Sequence, residues 1–199
     1  MSACRICAIS AERGGEEEFR KLVDAVHDAG MGIVLDIVPN HMAVDDANPF
    51  WPDPKVFDID PATGRHRRFF SIDELAGVRQ EDPEVFELTH AKVLELVADG
   101  LVDGLRIDHP DGLADPKGYL DRLAEASGGR WTVVEKILEP GEELPASWAA
   151  AGTTGYDALA EVDDVLVDPA GEAALTALDT ADRAQGAQRH RDRQPGGER

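Results

Sequence analysis

Apolar residues recur at helical spacing from Gly14 to Gly30, where Phe19, Leu22, Val23 and Val26 share one face. Glu16, Glu17 and Glu18 fall in the first turn, where the helix dipole favours acids. Gly30 and Gly32 end the helix, and the unbroken run Ile33–Val38 predicts a buried strand. The segment from Pro39 to Asp82 has no period. Rich in Pro, Asp and aromatics, it is expected to be a long functional loop. The alternation then resumes: a helix over Pro83–Asp99 with Val85, Phe86, Val93, Leu96 and Val97 inward, and a strand at Val102–Ile107. After these come a helix at Pro116–Ala126, a strand at Trp131–Ile137 and a helical piece near Glu142–Ala150.

Strands alternating with helices predict parallel βα units with a sheet covered on both faces. Each strand ends in polar residues: Asn40-His41, Asp108-His109 and Glu135-Lys136. In parallel α/β folds, chemistry collects beyond the carboxyl ends of the strands, so these pairs are the candidate site.

Composition narrows the function classes. The 199 residues are 42% hydrophobic and 30% charged, enough for a packed core. Forty acids against 20 bases leave a net charge of -20, which repels nucleic-acid phosphates and anionic membrane surfaces. No run approaches the roughly 18 apolar residues of a bilayer span, and residues 1–13, irregular in pattern, lack the apolar centre of a secretory signal. Cys4 and Cys7 form one CxxC without a second pair, read as reduced thiols of a cytoplasmic protein rather than as a zinc or redox site. From Ala181 to Arg199, five arginines face Asp182, Asp192 and Glu198 without an apolar face, and the tail 181–199 is expected to be disordered.

Three motifs carry chemistry. In DIVPNHM, Asp36 to Met42, a strand delivers Asp36 and a proline-terminated turn presents Asn40 and His41; a plain polar turn is the equal alternative. In GLRIDHPDGL, Gly104 to Leu113, the period of two puts Arg106 and Asp108 on one face. An arginine there would keep the aspartate ionised, either as a nucleophile or as half of a structural ion pair. In WTVVEKIL, Trp131 to Leu138, Glu135 follows an apolar run, and partial desolvation would suit it to general acid work. An Asp on one strand end and a Glu on the next form the carboxylate pair of a retaining glycosidase-type site.

DIVPNH, GLRIDH and VVEKIL resemble the first three signature regions of the α-amylase superfamily of (β/α)8 barrels. GIVLDIVPNHMAV, RRFFSIDELAGVRQEDPEVFE, GLVDGLRIDHPDGLADPKGYL and WAAAGTTGYD resemble, within it, the maltooligosyl trehalose synthase family, from about Gly14 to Asp179. The resemblance implies Asp108 as nucleophile and Glu135 as general acid/base, with Arg106 orienting Asp108. It further implies that His41, Asn40 and Asp36 line the subsite of the cleaved sugar, and that His109, Lys136 and Tyr156 contact substrate. Trp51, Phe69, Phe70 and Tyr156 offer sugar-stacking surfaces, with core packing as the alternative. The implied reaction turns the reducing-end α-1,4 linkage of a maltooligosaccharide into an α,α-1,1 linkage, without cofactor or metal. A barrel needs eight βα units in roughly 250 residues, whereas three strands are legible here, in residues 14–180. The family's fourth signature region, with a third carboxylate, has no counterpart. The expectation is therefore a partial (β/α)8 barrel with a long inserted loop over 39–82, weak or inactive by itself. The alternatives are an α-amylase-type hydrolase, a non-catalytic remnant and a metal-dependent hydrolase using His41, Asp108, His109 and Asp111. Asp108 and His109, pointing to opposite faces, argue against the last.

Overall fold

The computed structural model describes residues 9–192. In chain order these form α1 (Gly15–Asp28), β1 (Val34–Ile37), β2 (His41–Ala43), β3 (Arg68–Phe69), β4 (Ile72–Gly77) and α2 (Pro83–Ala98). Then follow β5 (Gly104–Ile107), α3 (Pro116–Ala126), β6 (Trp131–Val134), β7 (Gly152–Thr153), α4 (Tyr156–Leu166) and α5 (Glu172–Asp192). Cys4 and Cys7 lie outside the described residues. The chain divides after Tyr156 into two compact units.

In the first unit β1, β5, β6 and β7 pair in that order, all parallel. This is part of a (β/α)8 barrel, with a fourth, two-residue strand beyond the three read from sequence. The inward residues of the central strands, Leu105, Ile107 and Val134, are wholly buried against Phe86, Leu96 and Val97 of α2 and Tyr119, Leu120 and Leu123 of α3. The other face is not the covered surface that was expected. Asp36 and Arg106 stand on it, and Val34 at its edge is half exposed.

Helix starts are set by Asp-Pro pairs. Asp82 accepts the Glu84 N–H at 2.9 Å with Pro83 in the first turn of α2, and Asp115 accepts the Gly118 N–H at 2.9 Å ahead of Pro116 in α3. Each carboxylate satisfies an otherwise orphaned amide, and each proline loses nothing there. The helix expected near Glu142–Ala150 does not form. Pro140, Gly141 and Pro145 interrupt it, and the chain runs through turns until the Ala151 N–H reaches the Thr132 carbonyl at 2.7 Å and enters β7.

The segment expected as one long loop folds into an antiparallel sheet, β2-β4-β3, over its own core of Val56, Phe57, Ala76, Val78 and Val85. Its aspartates make the turns: Asp45, Asp53 and Asp60 accept the N–H groups of Ala47, Lys55 and Ala62 at 2.7–2.8 Å. The abundance of Asp that read as loop is thus the punctuation of a small sheet.

The second unit consists of α4 beyond its first residue, a turn at Pro169–Gly171 capped by Asp168, and α5. Irregular chain was expected from Ala181, but α5 continues to Asp192; its Ala, Gln and Arg are good helix formers. The rest of that expected tail, 193–199, lies outside the described residues.

A buried polar pair ties α2 to α3. His90 Nδ1 lies 3.1 Å from the Phe86 carbonyl, which takes its proton, so Nε2 accepts the Tyr119 hydroxyl at 2.8 Å. Burial pushes the Tyr119 hydroxyl up and keeps it a donor, and pushes His90 down to about 4. The unfolded chain takes up the His90 proton near the ordinary value of about 6.5. Protonation therefore favours unfolding, and stability falls as the pH drops from about 6.5 to 4, by on the order of 3 kcal/mol. Urea unfolding at pH 7, 5.5 and 4.5 is expected to show this slope, and His90→Gln to make it markedly shallower. Asp82→Ala is expected to cost about 1 kcal/mol in the same measurement at pH 7 through loss of the α2 cap.

Candidate active site

Parallel register aligns Asp36 of β1 with Arg106 of β5 and Val133 of β6, placing the three strand ends level. Asp108 leaves β5 with its N–H on the Ile37 carbonyl at 2.9 Å, and Glu135 leaves β6 with its N–H on the Ile107 carbonyl at 2.8 Å. The acids are thus anchored by backbone ladders carried one step past the strands. Arg106 joins them. Its Nη1 donates to both oxygens of Asp36, at 2.7 and 2.6 Å, and lies 3.2 Å from Asp108 Oδ1, while Nη2 lies 3.4 Å from Glu135 Oε1. Asp36 above all raises the Arg106 pKa further, so the guanidinium is a fixed cation. Asp108 and Glu135 face the same cleft from the two terminal nitrogens of one side chain. Glu135 meets a cation, not the apolar pocket its apolar run suggested.

The cleft, about 590 Å³, is lined by Asp108, Glu135, Asp111, Glu139, His109, Ile137, Phe69 and Phe70. One wall is aromatic. Phe69 stacks on His41 with centroids 4.0 Å apart, meets His109 edge-on at 5.0 Å and touches Phe70 at 4.4 Å. Burial lowers the His41 pKa, Asp108 acting against this and His109 with it, so His41 is a neutral imidazole at pH 7. Its Nδ1 is buried without a hydrogen-bond partner among the described residues. His109 and Phe70 adopt left-handed backbone with φ of 44° and 50°. For non-glycine residues such conformations cost about 1–3 kcal/mol each and gather at functional sites. His109 also precedes Pro110, which turns the chain over the strand end.

The expected site residues divide. Asp108, Glu135 and His109 line the cleft; Arg106 and Asp36 support it; His41 backs the aromatic wall. Three others do not line it. Asn40 is buried, its Oδ1 held by Arg67 Nη1 at 3.1 Å. Lys136 is buried beneath, bridging Asp111 at 3.2 Å and Glu142 at 2.7 Å, and those acids raise its pKa, Glu142 more than Asp111. Tyr156, partly exposed, opens α4. Both polar groups turn away from the cleft because each is held by a partner outside its own strand, Asn40 by Arg67 and Lys136 by Asp111 and Glu142, which spacing alone does not reveal. Sequence reading passed over Glu139, Ile137 and Arg67, and weighed Asp111 only as a metal ligand; its place one turn past Asp108 was the available signal. Among the described residues no three His, Cys, Asp or Glu side chains converge as metal ligands, and no helix is long and apolar enough to cross a membrane.

No protein-family model matches the chain. A putative maltooligosyl trehalose synthase of Mycobacterium tuberculosis is 37% identical over 245 aligned positions, covering 85% of this chain and 32% of that protein. Maltooligosyltrehalose synthase from Arthrobacter ramosus superposes with a TM-score of 0.82 at 38% identity, over 92% of this chain and 34% of its own. An α-amylase from Malbranchea cinnamomea shares the fold, with a TM-score of 0.56 at 24% identity over 71% of this chain and 33% of its own. The chain spans about a third of the length of these relatives. By these similarities, with the strand register and the acids at the strand ends in keeping, the chain belongs with the maltooligosyl trehalose synthases.

Proposed function

We propose that the cleft at the ends of β1, β5 and β6 is the retaining two-carboxylate site of an intramolecular transglucosylase acting on maltooligosaccharides, in a cytoplasmic protein whose partial catalytic barrel spans about residues 14–180. The observation that carries this reading is the bridging of Asp36, Asp108 and Glu135 by Arg106 beside an aromatic wall. In the reaction Asp108 attacks the anomeric carbon of the penultimate glucose, forming a glycosyl ester. The glycosidic C–O bond breaks as Glu135 gives its proton to the leaving oxygen. The released glucose stays in the cleft and presents its anomeric hydroxyl. Glu135 takes that proton back while the oxygen displaces Asp108, leaving an α,α-1,1 linkage. Arg106 holds Asp108 in place throughout, and Asp36 fixes Arg106.

Isomerisation outruns hydrolysis only if water is kept from the ester. Phe69, Phe70 and the sheet that carries them cover one side. Asp108 and Glu135 remain about a quarter and a fifth exposed, which favours α-amylase-type hydrolysis as the second reading. The two differ in product: isomerisation consumes reducing ends, and hydrolysis creates them.

Among the described residues four parallel strands, half of a barrel's eight, form one side of such a cleft. The 199-residue chain with maltopentaose is accordingly expected to show no loss of reducing ends; conversion that Asp108→Asn abolishes would contradict this. Residues 14–156 exchanged into the matching segment of the Arthrobacter ramosus synthase are expected to support conversion without glucose release. In that chimera Asp108→Asn and Glu135→Gln should each lower turnover at least ~10³-fold, and Arg106→Leu ~10²-fold. Net glucose release would favour the hydrolase, and full turnover in both acid variants would sink the assignment.

A further inference from the structure

Arg67 takes no part in the proposed chemistry, yet its guanidinium ties together segments far apart in the chain. Nη1 donates to the Gly112 carbonyl at 2.6 Å and to Asn40 Oδ1 at 3.1 Å, Nη2 to the Val78 carbonyl at 3.3 Å and Nε to Asp58 Oδ2 at 3.1 Å. Asn40 follows β1, Gly112 follows β5, and Val78 follows β4. The fork geometry of arginine allows this, whereas the point charge of lysine does not.

Two glycines clear its path. A Cβ at Gly77 would stand 2.5 Å from the Arg67 guanidinium carbon, and one at Gly112 would stand 2.7 Å from the Asn40 amide. Asn40 is in turn locked from its other side, where its carbonyl accepts the Val78 N–H at 2.9 Å. His41, the residue after Asn40, stacks on Phe69, two residues beyond Arg67; His109, three residues before Gly112, meets Phe69 and Phe70.

From this we infer that Arg67 is a positioning residue: it fastens the antiparallel sheet to the loops after β1 and β5, and so presses Phe69 and Phe70 against His41 and His109 as the cleft's wall. Its consequence for sugar binding rests on the function proposed above. The clamp itself does not.

The test uses the full chain with Arg67→Met and, approaching from the other partner, Gly112→Ala. NMR reads the nuclear Overhauser effect between the His41 and Phe69 rings and the titration of His41, which faces Asp108 and His109 as its charged or titratable neighbours. In both variants the two rings should separate, abolishing that effect, and His41 should titrate closer to the ordinary value of about 6.5. The β5 and β6 amides should stay protected from hydrogen exchange. Arg67→Lys should behave as Arg67→Met, since the charge without the fork cannot span three segments. Unchanged ring stacking and titration in a folded Arg67→Met would overturn the inference. Should Arg67→Met fail to fold, Gly112→Ala decides by the same readouts. Maltopentaose added to the wild-type chain separates the two proposals. Perturbed Phe69 and Phe70 resonances that weaken in the variants support both. Absence of any perturbation in wild type counts against the sugar cleft, leaving the clamp to stand or fall on His41. Equal perturbation in wild type and in variants whose rings have separated would overturn the link between Arg67 and sugar binding.

Discussion

Three carboxylates crowd the ends of three adjacent strands because a single guanidinium stands among them. Asp36, Asp108 and Glu135 belong to a chain already carrying a net charge of -20, and Arg106 is the cation that meets all three. Because Arg106 lies in register with Asp36, the cation is delivered by the same ladder that pairs the strands. The sheet needs Arg106 to tolerate its acids, and the cleft needs it to aim them.

A second constraint governs the aromatic wall. Phe69 and Phe70 lie on a small sheet with a core separate from that of the parallel sheet, so nothing in either core alone fixes the distance between the wall and the acids. That distance is set at the seam, by polar contacts in which Asn40 is buried and by two left-handed residues, Phe70 and His109. Backbone strain is retained there because the surrounding bonds leave the chain no easier path.

Much of the parallel framework was legible in the sequence. Apolar runs marked β1, β5 and β6 to within a few residues, the helices read over Pro83–Asp99 and Pro116–Ala126 coincide with α2 and α3, and the motif spacing put Asp108, Glu135 and Arg106 together. What stayed hidden was fixed by tertiary contacts. The strands of the inserted sheet are two to six residues long and broken by turns, so no period-two signal could build up. β7 has only Gly152 and Thr153. Asn40 and Lys136 read as site residues because polar side chains at strand ends usually face the ligand. Here Arg67 and Asp111, distant in sequence, and the nearer Glu142 hold them away from the cleft.

The second unit leaves Leu159, Val162, Val165, Leu166, Leu175 and Leu178 open to solvent, on helices interspersed with Asp157, Glu161, Asp163, Asp164 and Glu172. Oily and acidic side chains on the same helices oppose one another whenever two molecules meet: contact would hide the first but crowd the second. On such a surface like charge, not a lack of adhesive area, is what opposes association. That opposition weakens as added electrolyte shortens the reach of that charge, from about 30 Å at 0.01 M to about 3 Å at 1 M.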